Sequence, residues 1–123
     1  MSSSPEDIDE QEQIFNSVNY PDSVVVNIIP DDQRKTSNYI THSEATEAIG
    51  IRSAEIENGS PVFVEINGIT DPNIIAEKEF FSRKSPLILE REIYRSGDQV
   101  WVEHWPVRIM TYAKINKFNS DHL

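Results

Sequence analysis

The sequence of 123 residues contains no cysteine. Disulfides and every thiolate metal site are therefore excluded, and with them two supports that small domains commonly use. His42, His104 and His122 stand far apart, none beside a second ligand type at metal spacing, so neither a metal nor a cofactor is expected. Long apolar runs are missing too: nothing approaches the roughly 20 residues needed to cross a bilayer. No basic-then-apolar segment resembles a signal peptide, and the chain is read as soluble and intracellular with no membrane partner. In that setting Asn58-Gly59-Ser60, which fits a glycosylation sequon, reads as a plain turn. There is also no glycine-rich phosphate loop and no nucleophile–base pattern, so no catalytic residue is expected. Glu90, Glu92 and Glu103 have no accompanying pocket, metal or nucleophile, and are read as solvated strand charges.

Basic residues are absent from the first 32 positions, where Glu6, Asp7, Asp9, Glu10, Glu12, Asp22, Asp31 and Asp32 give −8 and leave only −2 of the total −10 to the remainder. An acidic chain repels phosphate, which disfavours direct, sequence-specific nucleic-acid binding. The length suits one small domain, and a small domain buries a modest share of its surface. With disulfides and metals excluded, a partner protein is the remaining support.

Residues 1–29 read as an acidic flexible tail, too polar to offset the entropy of ordering. The tail nevertheless holds an apolar cluster at Ile14, Phe15 and Val18. It also holds a β-prone run from Val24 to Ile29, suited to an edge strand or to lying extended along a partner. A first helix opens at Thr41-His42-Ser43-Glu44, a capping box, and puts Ala45, Ala48, Ile49, Arg52 and Ile56 largely on one stripe. Gly59 suits a left-handed C-cap. Pro61 to Ile66 reads as a short strand ended by Asn67-Gly68. Asp71-Pro72 starts a second helix carrying Ile74, Ile75, Phe80 and Phe81, with Lys84 near its end and Pro86 closing it. Two further strands, 86–95 and 99–105, are joined at Ser96-Gly97. The expected fold is α+β: one small domain at 30–110, two principal helices and a short antiparallel sheet, then a C-terminal extension at 111–123.

The order of several blocks carries more than any one of them. Asp32-Gln33-Arg34, Thr36 to Thr41, Glu44, Gly50-Ile51-Arg52-Ser53-Ala54, Pro61-Val62-Phe63-Val64, Gly68, Thr70-Asp71-Pro72, Ile75-Ala76, Lys78-Glu79, Lys84-Ser85-Pro86-Leu87 and Glu103-His104-Trp105 follow at nearly fixed intervals. From about Pro30 to Ile109 the chain closely resembles the sixth common subunit of eukaryotic RNA polymerases, whose relatives are archaeal subunit K and bacterial omega. The resemblance implies a non-catalytic subunit of a DNA-directed RNA polymerase that binds the largest subunit, stabilises it and helps it join the rest of the core. The residues expected to serve partner binding are Thr41, Glu44, Gly50, Arg52, Ile75, Glu79, Arg91 and Trp105.

The resemblance has departures. Relatives carry basic residues where this chain has His42, Ala45 and Glu47, and a second arginine where it has Glu90, which implies a divergent partner with compensating charges. The divergence resembles the copies carried by large cytoplasmic DNA viruses. That implies the cytoplasmic viral factory and the virion as locations; a cellular copy would be nuclear. A free-standing interaction adaptor using the same fold is the competing function.

Individual residues sharpen these expectations. Arg52, on an otherwise apolar stripe, is read as an anchor to the largest subunit. Gly50, about 1 kcal/mol less favourable than Ala within a helix, implies close approach of a backbone from the domain or from the partner. Trp101 and Trp105 are equally suited to an interface or to the core. In the tail, Phe15-Asn16-Ser17-Val18 resembles acidic strings that dock on the pleckstrin-homology domain of TFIIH, with Phe15 and Val18 as contacts. Ser4-Pro5-Glu6-Asp7 resembles an acidophilic-kinase site.

Overall fold

Two antiparallel strands form the centre of the molecule, β3 (Leu87–Ser96) and β4 (Gln99–Pro106), in a computed structural model that describes residues 12–113. Ser96 pairs with Gln99, so the two turn residues are Gly97 and Asp98, one position later than the sequence suggests. Gly97 takes φ +58° at the first of them, where a type II′ hairpin turn requires glycine. An irregularity between Glu92 and Tyr94 shifts the register, as a β-bulge does, so that Arg91 and Tyr94 both stand on the face that carries Leu87 and Leu89.

Two more strands flank the hairpin. β1 (Gln13–Phe15) runs parallel to β3, with Phe15 opposite Leu89, and β2 (Val25–Ile28) runs parallel to β4. The order is β1-β3-β4-β2, so the sheet is mixed and not simply antiparallel. This also corrects the reading of 13–28 as part of a flexible tail. Both exposed edges of a two-stranded hairpin need backbone partners, and the apolar runs at Ile14-Phe15 and Val24 to Ile29 supply them. Phe15, only 5% exposed, contributes directly to the core. Residues 16–24 join strands on opposite edges, and the bonds from Asn16 to the Glu90 carbonyl and from Tyr20 to Glu92 mark their path across the sheet.

The other face carries the helices, α1 (His42–Glu57) and α2 (Pro72–Phe81). Thr41 and Glu44 form the expected capping box, and Asp71 caps α2 through the amide of Asn73. Both helices end in Schellman geometry. Gly59, at φ +97°, follows α1; its amide bonds to Ile56 and that of Ser60 to Glu55. At α2 the left-handed position falls to Arg83, at φ +59°, so the helix stops at Phe81, well before Lys84 and Pro86. Ala45 and Ala48 of α1 and Phe80 of α2 pack on Leu87, Leu89, Phe15 and Trp105, with Ile40, Val107 and Met110 closing the core.

The expected strand over 61–66 does not form. β1 and β2 occupy the two sides of the hairpin, and the run does not add to the outer edge of either. Its backbone is used by side chains instead: Pro61 and Glu65 accept from Arg52 and Lys78, and the Phe63 amide donates to Glu79. Beyond Met110, Thr111 bridges to Tyr39 and Tyr112 packs against Phe80 and Phe81. Residues 114–123, most of the expected extension, lie outside the described residues, as do the acidic positions 6–10 and the kinase-like string at Ser4.

Candidate functional site

Two charged networks hold the elements that carry the singled-out residues. The first joins the helices. Arg52, 3% exposed, lies on the inner face of α1, and Glu79, fully buried, lies opposite on α2. The Arg52 guanidinium donates to both Glu79 oxygens at 2.5 and 3.0 Å, to Glu55 at 3.2 Å and to the Pro61 carbonyl. The Phe63 amide supplies a further donor to Glu79 at 2.9 Å, and the Phe63 ring sits 5.4 Å from the guanidinium carbon. Burial works to lower the Arg52 pKa, but the bonds and charge of Glu79, followed by those of Glu55, outweigh it and raise the value above that of a free arginine. Arg52 therefore stays charged while buried. Its partner is inside the chain, which corrects the reading of Arg52 as an anchor to another subunit.

The second network ties residues 34–44 to the hairpin. Arg91 of β3 grips Glu44 through two bonds, at 2.9 and 3.1 Å, and also donates to Thr36 and to the carbonyls of Ser37 and Tyr39. Glu44 at the same time accepts from the Thr41 amide, so the capping box and the ion pair share one carboxylate. On β4, Glu103 is fully buried, with its oxygens bonded by the Lys35 and Thr36 amides, the Thr36 hydroxyl and the Trp105 indole. Arg34 stacks over the Trp105 ring at 4.3 Å and donates to the His104 carbonyl. Burial pushes the Glu103 carboxyl up, but the converging donors hold it below the usual range; Glu44 is likewise lowered, by Arg91 and Thr41 against its own burial.

Thr41, Glu44, Arg91 and Trp105 are thus brought into one network and Arg52 with Glu79 into another. Trp105 belongs to the core. Ile75 is buried on α2 apart from both networks. Gly50 faces outward, and a Cβ built there meets nothing within 4 Å, so no close approach inside the domain accounts for it.

Sequence reasoning missed Arg34, Thr36 and Glu103 as members of the second network. Glu103 and Glu90 are also corrected from solvated charges to buried ones, Glu90 being paired with His104 at 2.9 Å. The available signal was the block order itself, since Arg34, Thr36 and Glu103 all fall inside the matched segments. Two of the departures from the family pattern find partners within the chain: Glu90 with His104, and His42 with the Tyr112 hydroxyl at 2.8 Å. Ala45 lies in the core and Glu47 on the surface.

Neither network has the form of a catalytic site, because the carboxylates are engaged by fixed donors within the chain. Among the described residues no group of three or more His, Cys, Asp or Glu could hold a metal ion, and no helix is long and apolar enough to cross a membrane. The networks fix the relative placement of helices, loop and hairpin. The surface so shaped exposes Phe81 (57%), Ile74 and Tyr39, with Phe81 in an aromatic cluster with Phe80 and Tyr112 at 5.1 and 6.1 Å. Exposed aromatic side chains on a rigid frame suit protein recognition.

No protein-family model matches the chain. It is 36% identical over 97 residues to subunit RPABC2 of DNA-directed RNA polymerases I, II and III from Saccharomyces cerevisiae, covering 79% of this chain and 59% of the relative. The corresponding subunit of Dictyostelium discoideum is 43% identical over 73 residues, which is 59% of this chain and 55% of the relative. Subunit 6B of RNA polymerases II and V from Arabidopsis thaliana is 38% identical over 68 residues, 55% of this chain and 47% of the relative. The chain therefore spans about half the length of the curated relatives it matches, at levels of identity that mark them as homologues.

Proposed function

We propose that this homologue of the sixth common RNA polymerase subunit is a non-catalytic subunit of a multisubunit DNA-directed RNA polymerase, where it binds and stabilises the largest subunit and promotes assembly with the rest of the core. The observation that carries the reading is the 36% identity to RPABC2 over 97 residues, four-fifths of this chain. In physical terms, a small domain with internally satisfied ion pairs presents a pre-formed surface, and a pre-formed surface loses less entropy when it associates. Arg52, Glu79, Glu44, Arg91 and Trp105 act on the partner through the shape that they hold. Gly50 on α1 and Phe81 on α2 are the positions offered for contact.

A location in the cytoplasmic viral factory and the virion is part of the same proposal, on the divergence at His42, Ala45, Glu47 and Glu90. Docking of the tail on a TFIIH-like factor through Phe15 would require β1 to leave the sheet, since Phe15 is buried there; Val18 is exposed and available. The deciding experiment is affinity purification of the tagged chain from its native host or infected cell. Stoichiometric recovery of the two large polymerase subunits is expected. Recovery of the chain alone, or with small unrelated proteins, would replace this reading with that of a free-standing adaptor.

A further inference from the structure

We propose that the outer edge of β2 takes up an extended, uncharged strand of a partner protein whose ends carry Lys or Arg. β2 is an edge strand, hydrogen-bonded only to β4 among the described residues. Val25 and Ile29 direct their amides to the carbonyls of Asp98 and Val102, both at 2.8 Å. Because successive residues of a strand alternate, the amides and carbonyls of Val26 and Ile28 point the other way, out of the sheet edge. Natural proteins blunt such edges with charge, proline or bulges. From Val24 to Ile29 this edge has none of these, and Val25, Val26 and Ile28 are 50%, 42% and 59% exposed.

The ends of the edge define the partner. Asp22 and Asp98 stand at its start, and the short 3-10 turn at its end carries Asp31 and Asp32. Arg34 is turned inward over Trp105 and takes up part of the Asp31 charge at 3.2 Å, and Lys35 follows it in the chain. The edge is thus apolar in its middle and acidic at its ends, most strongly at its start. A strand with an uncharged β-branched or aromatic middle and basic ends is its complement. A groove of about 910 Å³ lies over the sheet face beside β2, with Asn27, Ile28, Tyr94 and Trp101 in its wall together with Arg34 and Lys35. A second copy of this chain is a poor occupant: antiparallel pairing of two such edges would set Asp22 and Asp98 of one against Asp31 and Asp32 of the other, and each chain carries −10.

Amide hydrogen exchange on the full chain tests it, alone at low and high concentration and then with synthetic peptides. The peptides have a middle of alternating valine and threonine and either two lysines or two glutamates at each end. Fast exchange at Val26 and Ile28 is expected in the chain alone, slowed about tenfold or more by the lysine-ended peptide and not by the glutamate-ended one. Replacing Asp22, Asp32 and Asp98 together by Asn, all at exposed positions, should weaken the lysine-ended peptide about tenfold without altering the fold. Slow exchange in the dilute chain would assign the edge to its own terminal residues. Slowing that appears only as concentration rises would assign it to a second copy. Either result, or equal or no slowing by the two peptides, overturns the proposal.

Discussion

Arg52 and Glu79 meet between the two helices as a buried pair, and every oxygen of Glu79 has a donor from α1 or from the loop that joins the helices. The pair therefore sets the spacing of α1 and α2 and the course of residues 61–63 in one contact. Removing one member is far costlier than removing both, because it leaves the other charge buried without a partner.

Arg52→Met or Glu79→Met alone should lower the unfolding free energy by about 3–5 kcal/mol, whereas the two together should cost much less. Urea denaturation of both single variants and the double variant gives the coupling directly. Equal losses in all three would mean that the pair has no special role.

Acid should destabilise the domain through Glu44 and Glu103. Both carboxyls are held below the ordinary glutamate value of about 4.5 in the folded chain. A depressed folded pKa gives stability that is present in full above the unfolded value and is lost as pH falls through the folded one. Urea midpoints should therefore change little from these groups above pH 4.5 and fall steadily below it. In Arg91→Gln the part due to Glu44 should shrink, since Arg91 is the first of the influences that lower it.

Phe15→Ala and Val18→Ala separate a structural role from a docking role. Phe15 fills the core opposite Leu89, so its truncation should cost about 3–5 kcal/mol. Val18 is exposed, and Val18→Ala should leave stability within about 0.5 kcal/mol. Thermal melts of the two variants check this; near-equal melting temperatures would mean that β1 is not held to the sheet in solution.

Gly50→Ala should stabilise the isolated chain by about 0.5–1 kcal/mol, because the helix gains a better helix former and the added methyl meets nothing within 4 Å. The same variant should reduce recovery of the large polymerase subunits in the purification described above. Higher stability with undiminished recovery would remove Gly50 from the partner surface.

Phe81→Ser should leave the melting temperature within a few degrees, since the ring is mostly exposed, while weakening assembly. Co-purification of the variant beside the unaltered chain measures this. A large fall in melting temperature would reassign Phe81 to the core cluster.

Where the determinants were local, the linear sequence sufficed. Thr41 with Glu44, Asp71 with Pro72, Gly59 after Asn58 and the turn glycine at 97 each act within a few residues, so helix starts, one helix end and the hairpin were legible. The block order supplied the family resemblance, which no single spacing could. What the sequence left undecided depended on partners distant in the chain. Arg52 is matched by Glu79 across 27 residues and Glu103 by Thr36 across 67, so neither charge declared whether it would face solvent, another protein or its own interior. The strands at Gln13 and Val25 likewise exist because a hairpin more than 70 residues later leaves two backbone edges to be satisfied. The Pro61 to Ile66 run is the reverse case: strand-like side chains whose backbone is bonded by Arg52, Lys78 and Glu79 and not by a strand. Backbone hydrogen bonds and buried charges need a specific partner in space, and only the tertiary structure supplies it.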